Sequence, residues 1–128
     1  MRITRSYRPK RVISPVTPFV HKRQKGGHWG VPAVYDPPLP PQEMGKGYPV
    51  WTLSHQGREL YFASPLEMAH VAEVMGSPLL PRPWQLSGEA GYATGHWLAR
   101  LHKSWKATGT REKLARILSE ASKAQTWR

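Results

Sequence analysis

The sequence predicts an α+β fold in which a β-hairpin and three short helices follow an extended, basic, proline-rich N-terminal arm. Three observations predict it: apolar and polar residues alternate on both sides of Gln56-Gly57, apolar residues recur at helical spacing after residue 64, and prolines concentrate before residue 50. Nine of the 13 prolines lie within residues 1–49. The predicted division is therefore an arm over 1–47 and a small α+β domain over 48–128.

The arm is strongly basic and has no predicted core of its own. Residues 1–35 contain eight Lys and Arg and no Asp or Glu, and residues 35–41 read Tyr-Asp-Pro-Pro-Leu-Pro-Pro, which favours an extended polyproline II conformation. Two interpretations remain open. The apolar residues of the arm, such as Phe19 and Trp29, favour a segment that becomes ordered on a partner, and the alternative is a plain linker or tail.

The hairpin is predicted from a turn and a pattern that support each other. Gly57 provides the positive φ that a two-residue turn needs, and His55 then pairs with Arg58. This register segregates the two faces. The apolar face carries Trp51, Leu53, Leu60 and Phe62. The polar face carries Thr52, Ser54, Glu59 and Tyr61.

The first helix has signals at both ends. Ser64, Pro65 and Glu67 form a capping box with proline in the first turn, and the helix is predicted to end with Gly76 as its C′ residue, because Pro78 cannot continue it. Its buried stripe is predicted to be Met68, Val71, Ala72 and Met75.

Two more helices are predicted over 95–106 and 110–125, separated by Thr108-Gly109. The apolar stripe of the second helix is Trp97, Leu98, Leu101 and Trp105. That of the third is Leu114, Ile117, Leu118 and Ala121. The tryptophans at 51, 97 and 105 are predicted to be core residues.

Composition excludes several classes of protein. There is no cysteine, so disulfides, thiolate catalysis and cysteine zinc sites are excluded. No apolar run approaches the roughly 20 residues of a membrane helix, and no signal peptide is recognised, so we expect a cytoplasmic protein with no membrane partner. The six histidines lack a metal-ligand spacing and no catalytic cluster is recognised, so we predict no metal, no cofactor and no enzyme.

The formal net charge of +11 predicts a polyanionic partner, most naturally nucleic acid, either DNA or RNA. Residues 95–111 contain no acid, which predicts that the second helix has a basic face for nucleic acid. The alternative is an ordinary solvated helix face. A helix-turn-helix motif is less favoured. Trp29 either stacks on a base or fills an apolar slot. The predicted nucleic-acid-binding residues are Arg2, Arg5, Arg8, Lys10, Arg11, Lys22, Arg23, Lys25, Trp29, His96, Arg100, Lys103 and Lys106.

Four short segments carry a family resemblance: residues 60–67 (LYFASPLE), 79–81 (LLP), 96–101 (HWLARL) and 111–113 (REK). Over residues 48–121 the chain resembles an uncharacterised family of small proteins from proteobacterial mobile elements and prophages. The resemblance assigns no residue a role. It implies that the partner is DNA, or a protein of the element's replication, transfer or regulation apparatus.

The leading hypothesis is a non-enzymatic nucleic-acid-binding protein, with DNA favoured over RNA, in an accessory or regulatory role in a mobile element. The alternative is a protein–protein interaction module, or a structural subunit of a ribonucleoprotein, that docks through the proline-rich arm.

Overall fold

The computed structural model describes residues 1–23, 35–77 and 97–125. The chain divides into two compact units, Met1–Ser64 and Pro65–Arg128. Of the elements in the described residues, the strands belong to the first unit and the longer helices to the second. The predicted α+β class is confirmed.

The first unit is built on a three-stranded antiparallel sheet with the order β1-β4-β5. A four-residue helix and a two-stranded ribbon, β2-β3, lie between the first two strands of that sheet in the sequence. The elements in chain order are β1 (Arg2–Arg8), α1 (Thr17–Val20), β2 (Lys22–Arg23), β3 (Tyr35–Asp36), β4 (Tyr48–His55) and β5 (Arg58–Phe62).

The predicted hairpin is confirmed in both its turn and its register. His55 pairs with Arg58, Leu53 with Leu60 and Trp51 with Phe62. Both turn residues have positive φ, 52° at Gln56 and 75° at Gly57, as a type I′ turn requires. Trp51, Leu53 and Phe62 are buried on the apolar face, while Leu60 is half-buried.

The third strand differs from the prediction of an arm over 1–47. β1 pairs along its whole length with β4, with Arg5 opposite Trp51 and Arg8 opposite Tyr48. A lone hairpin would leave the outer edge of β4 without backbone partners, and β1 satisfies those groups. Gly47 permits the close approach at the end of β1, because a Cβ there would lie 2.4 Å from the carbonyl oxygen of Arg8.

Residues 14–21 are also folded rather than extended. The amide of Ser14 donates to Thr17 Oγ1 at 2.9 Å, and the amide of Thr17 donates to Ser14 Oγ at 3.3 Å. This reciprocal pair closes a tight turn over 14–17 that leads into the single turn of α1, whose N-cap residue, Val16, makes no side-chain capping hydrogen bond. Val16, Thr17 and His21 are each at most 1% exposed.

The elements described in the second unit, over 65–77 and 97–125, are all helices. They are α2 (Pro65–Met75), α3 (Trp97–Arg100), α4 (Lys103–Lys106) and α5 (Thr108–Gln125). The predicted span of α2 is confirmed, and all four residues of its predicted apolar stripe are buried. α5 confirms the third predicted helix and begins two residues earlier. Leu114 and Leu118 are fully buried, whereas Ile117 and Ala121 are half-buried.

Gly76 directly follows α2, which ends at Met75 as predicted, and the residue also has a packing role. Its φ is not positive, and its amide still donates to the carbonyl of Ala72 at 2.9 Å. A Cβ at this position would lie 3.0 Å from that carbonyl oxygen and 3.5 Å from the Cβ of Ala115. Gly76 therefore allows the end of α2 to lie close to α5, and Pro78 lies outside the described residues.

The single helix predicted over 95–106 is wrong, because the structure has two short helices, α3 and α4, in its described part. His102 is extended, with ψ 141°, and its Nδ1 accepts a hydrogen bond from the amide of Ser104 at 3.1 Å. A side chain that caps the following turn competes with the continuing helix. Trp97 and Trp105 are nevertheless core residues, each 1% exposed.

Among the described residues, no helix has the length and apolar character needed to cross a membrane.

Candidate nucleic-acid interface

A groove of about 520 Å³ lies over the polar face of the sheet in the first unit. One wall is the chain that leaves β1, residues 8–13, and the floor is formed by β4 and β5. The strand register explains the floor, since Thr52 and Tyr61 are cross-strand partners and their side chains lie on the same face. The groove is thus a product of the sheet and of the segment that follows β1.

The groove combines positive charge with aromatic and aliphatic surface. Its cations are Arg8, Lys10 and Arg11, and Glu59 is its only acid among the described lining residues. The remaining lining residues are Pro9, Val12, Ile13, Val50, Thr52 and Tyr61. Cations beside an exposed ring and aliphatic side chains suit a ligand that is anionic on one side and flat and apolar on the other.

Tyr61 presents an exposed ring that is held in place. The side chain is 42% exposed, and its hydroxyl donates to the carbonyl oxygen of Ile13 at 3.3 Å. Ile13 is itself 44% exposed. The hydrogen bond ties the ring to the opposite wall of the groove, so little side-chain freedom would be lost when a ligand contacts the ring.

The three cations of the groove are not equivalent. The Arg11 guanidinium lies 4.5 Å from the ring centroid of Tyr48 and donates to the carbonyl of Pro40, so it serves the fold. Arg8 is exposed, with only long hydrogen bonds of 3.4 Å to Ser6 Oγ and to the Tyr7 carbonyl. Lys10 is exposed. Arg8 and Lys10 are therefore the better candidates for phosphate contacts.

The other face of β1 carries a second cationic cluster, around Tyr7. The Arg5 guanidinium lies 5.8 Å and the Lys46 ammonium 5.6 Å from the centroid of its ring. Lys46 lies in a tight turn closed by hydrogen bonds between Glu43 and Gly47. Arg2, at the start of the strand, is exposed but lies on the opposite face, which also carries Arg8.

The structure brings together only part of the predicted site. Arg2, Arg5 and Arg8 share one strand, and Arg8, Lys10 and Arg11 share the groove. The side chains of Lys22 and Arg23, in β2, are outside the described parts of the structure, as are Lys25 and Trp29.

The remaining predicted residues belong to the second unit. Lys103 is exposed and Lys106 is half-exposed, both on α4. Arg100 ends α3, but its side chain is not described, and His96 lies outside the described residues. The predicted continuous basic helix face is wrong, because the break before α4 separates Arg100 from Lys103.

A buried serine–histidine pair lies elsewhere in the first unit. His21 Nδ1 is 2.6 Å from the carbonyl oxygen of Pro37, and His21 Nε2 is 2.6 Å from Ser64 Oγ. A carbonyl only accepts, so Nδ1 carries the proton and, in the neutral ring, the Ser64 hydroxyl donates to Nε2. The order hydroxyl, imidazole, acceptor is that of an activated nucleophile. Ser64 and His21 are only 2% and 1% exposed, so the pair acts here as an internal link between chain segments.

No group of three or more histidine or acidic side chains that could hold a metal ion is found among the described residues.

Sequence reasoning missed Tyr61 and Glu59 as groove residues, although it placed both on the polar face of the hairpin. The sequence did contain one signal for the groove, because Tyr61 is an aromatic residue on the polar face of a predicted strand. It also missed the link from His21 to Ser64, for which the local sequence contains no signal, because the partners are 43 positions apart.

Comparison of the chain with protein-family models, with curated proteins and with solved structures finds no match.

Proposed function

We propose that this chain is a non-enzymatic nucleic-acid-binding protein and that the groove of the first unit is its principal contact surface. DNA is the first ligand to test, because the resemblance to mobile-element proteins favours it over RNA. An accessory or regulatory role in such an element follows from the same resemblance.

One observation carries the proposal: cationic and aromatic side chains line the same open groove. Arg8 and Lys10 supply charge for phosphates, and Tyr61 supplies an exposed ring. Positive charge alone would bind any polyanion. An exposed ring beside the charge adds a surface for bases, which other polyanions do not have.

A protein–protein interaction module remains the alternative, docking through the proline-rich segment. The contacts of that segment make it less favoured. Carbonyls of Pro37 and Pro40 accept hydrogen bonds from His21 and Arg11, and Leu39 is 8% exposed. The segment is thus already used within the first unit, although Pro38 and Pro41 stay exposed.

The test is a fluorescence-anisotropy titration of the full chain with labelled duplex DNA, single-stranded DNA and RNA at salt concentrations between about 50 and 200 mM. We expect affinity to fall linearly on logarithmic axes as salt rises, because each phosphate contact releases bound counterions. Affinity that does not change over this range would contradict the proposal, and absence of binding to all three ligands would refute it.

Single charge removals locate the contact. Arg8→Ala and Lys10→Ala should each weaken binding and reduce the salt slope by about one. The matched control is Arg58→Ala, which removes an exposed cation from the opposite face of the same sheet. Equal effects at all three positions would show that overall charge, rather than the groove, determines binding.

A further inference from the structure

Within the proposed function, which this inference deepens, we infer that the groove takes an unpaired nucleotide whose base stacks on Tyr61 and contacts Glu59, while Arg8 and Lys10 hold its phosphates. The ligand is therefore a single strand, of DNA or RNA, rather than a duplex.

The size and openness of the groove fit one or two unstacked nucleotides. Its volume of about 520 Å³ is within the range of small-ligand sites, about 300–1,000 Å³. Tyr61 can be reached from solvent along the floor, since both it and Ile13 on the opposite wall are more than 40% exposed. The bases of an intact duplex are stacked on their neighbours and cannot offer a face to this ring.

The position of charge within the groove orients the ligand. Arg8 and Lys10 belong to the wall that follows β1, whereas Glu59 lies on β5 beyond the central strand. A carboxylate repels phosphate, so the backbone of the strand should follow the basic wall. The base then extends across the sheet toward β5.

Glu59 gives the groove a means of selecting the base. It is two residues before Tyr61 on the same strand face, a separation of about 7 Å along the strand. A base stacked on the ring therefore presents its edge to the carboxylate. An ionised carboxylate only accepts hydrogen bonds, and guanine is the base with two adjacent donors on its Watson–Crick edge. We accordingly expect guanine to be preferred at this position.

The stacking test compares two substitutions at one position with a labelled single strand of about ten nucleotides, in DNA and RNA forms. Tyr61→Ala should weaken binding by about tenfold or more, because stacking on an aromatic side chain contributes that much per base. Tyr61→Phe retains the ring and should stay within about twofold of the unmodified chain. The DNA and RNA forms identify which kind of strand binds more tightly.

Base selection is tested with thymine-only strands and the same strands containing one guanine. Glu59→Gln should abolish the preference for the guanine-containing strand while leaving the thymine-only affinity the same or higher. If Glu59→Gln changes both strands equally, the carboxylate acts through its charge alone and the base-selection inference fails.

Two outcomes separate this inference from the proposed function. Salt-dependent binding with equal affinities for the Tyr61→Ala and Tyr61→Phe variants would overturn the stacking inference and leave nucleic-acid binding intact. Tighter binding to the annealed duplex than to either single strand would overturn it as well. Absence of binding to every nucleic acid would refute both. Circular dichroism of each variant confirms that the sheet is retained.

Discussion

Gly47 is the position at which a single methyl group should separate β1 from the rest of the sheet. Its φ is +110°, a conformation that L residues rarely adopt, and an added Cβ would lie 2.4 Å from the carbonyl oxygen and 3.1 Å from the carbonyl carbon of Arg8. Both neighbours are backbone atoms, so a side-chain rotation cannot relieve the contact. Either β1 moves away from β4 at this end or the turn before β4 changes its conformation.

The magnitude follows from two contributions. Backbone strain at such a φ costs about 1–3 kcal/mol, and overpacking against fixed atoms costs about 1–3 kcal/mol. We therefore expect Gly47→Ala to lower the free energy of unfolding of the first unit by about 3 kcal/mol or more. Hydrogen exchange of the β1 amides that bond to β4 should accelerate by about 100-fold, since each 1.4 kcal/mol is a factor of ten.

Gly45 provides a matched control in the same turn. Its φ of +77° also disfavours a side chain, but an added Cβ would meet no atom within 4 Å. Gly45→Ala should therefore cost only about 1–2 kcal/mol, the strain of a left-handed residue. Equal losses of stability and equal exchange rates in the two variants would refute the reasoning, because only Gly47 has a close neighbour. Since Arg8 lines the groove, Gly47→Ala should also weaken nucleic-acid binding more than Gly45→Ala.

Two further predictions concern buried polar links, both measured by chemical denaturation. His21→Ala and Ser64→Ala should each lower the free energy of unfolding by about 1–3 kcal/mol, because each leaves a buried polar partner unsatisfied. The double variant should lose less stability than the sum of the two single variants, since both single variants remove the same 2.6 Å hydrogen bond. Fully additive losses would contradict the role of this hydrogen bond. Arg111→Ala should destabilise the second unit by about 1–3 kcal/mol, because the buried guanidinium of Arg111 donates to the carbonyl of Ser77 at 3.0 Å. The control is Arg116→Ala, at an exposed position of the same helix, which should change stability by less than about 0.5 kcal/mol.

The elements predicted well from the sequence are those whose signals are local. The hairpin register follows from a two-residue turn and from the alternation on each side of it, so the pairing of Leu53 with Leu60 required no distant information. α2 and α5 likewise each have an apolar stripe of four residues that spans about two helical turns. In each case neighbouring residues determine both the element and its buried face.

The helix predicted over 95–106 shows where local patterns are insufficient. Its apolar spacing is helical throughout, and Trp97 and Trp105 are buried as the pattern predicts. The break arises because His102 caps a new turn through Ser104 instead of continuing the helix. The free-energy difference between a capping histidine and a continuing helix is small. The spacing of apolar residues does not reveal it, because that spacing is the same in both cases.

The sequence by itself determined the fold class, the hairpin with its two faces, the spans of α2 and α5, and the concentration of positive charge before residue 36. Only the tertiary structure decided that Arg2–Arg8 is a strand rather than part of an extended arm, because its paired residues in β4 are between 40 (Arg8 with Tyr48) and 52 (Arg2 with Ser54) positions away in the sequence. Because β1 pairs with β4, residues 8–13, which follow β1, lie beside the polar face of the sheet and form one wall of the groove. Strand pairing at long range is set by backbone hydrogen bonds and by burial on one face, neither of which leaves a distinctive pattern in a seven-residue segment.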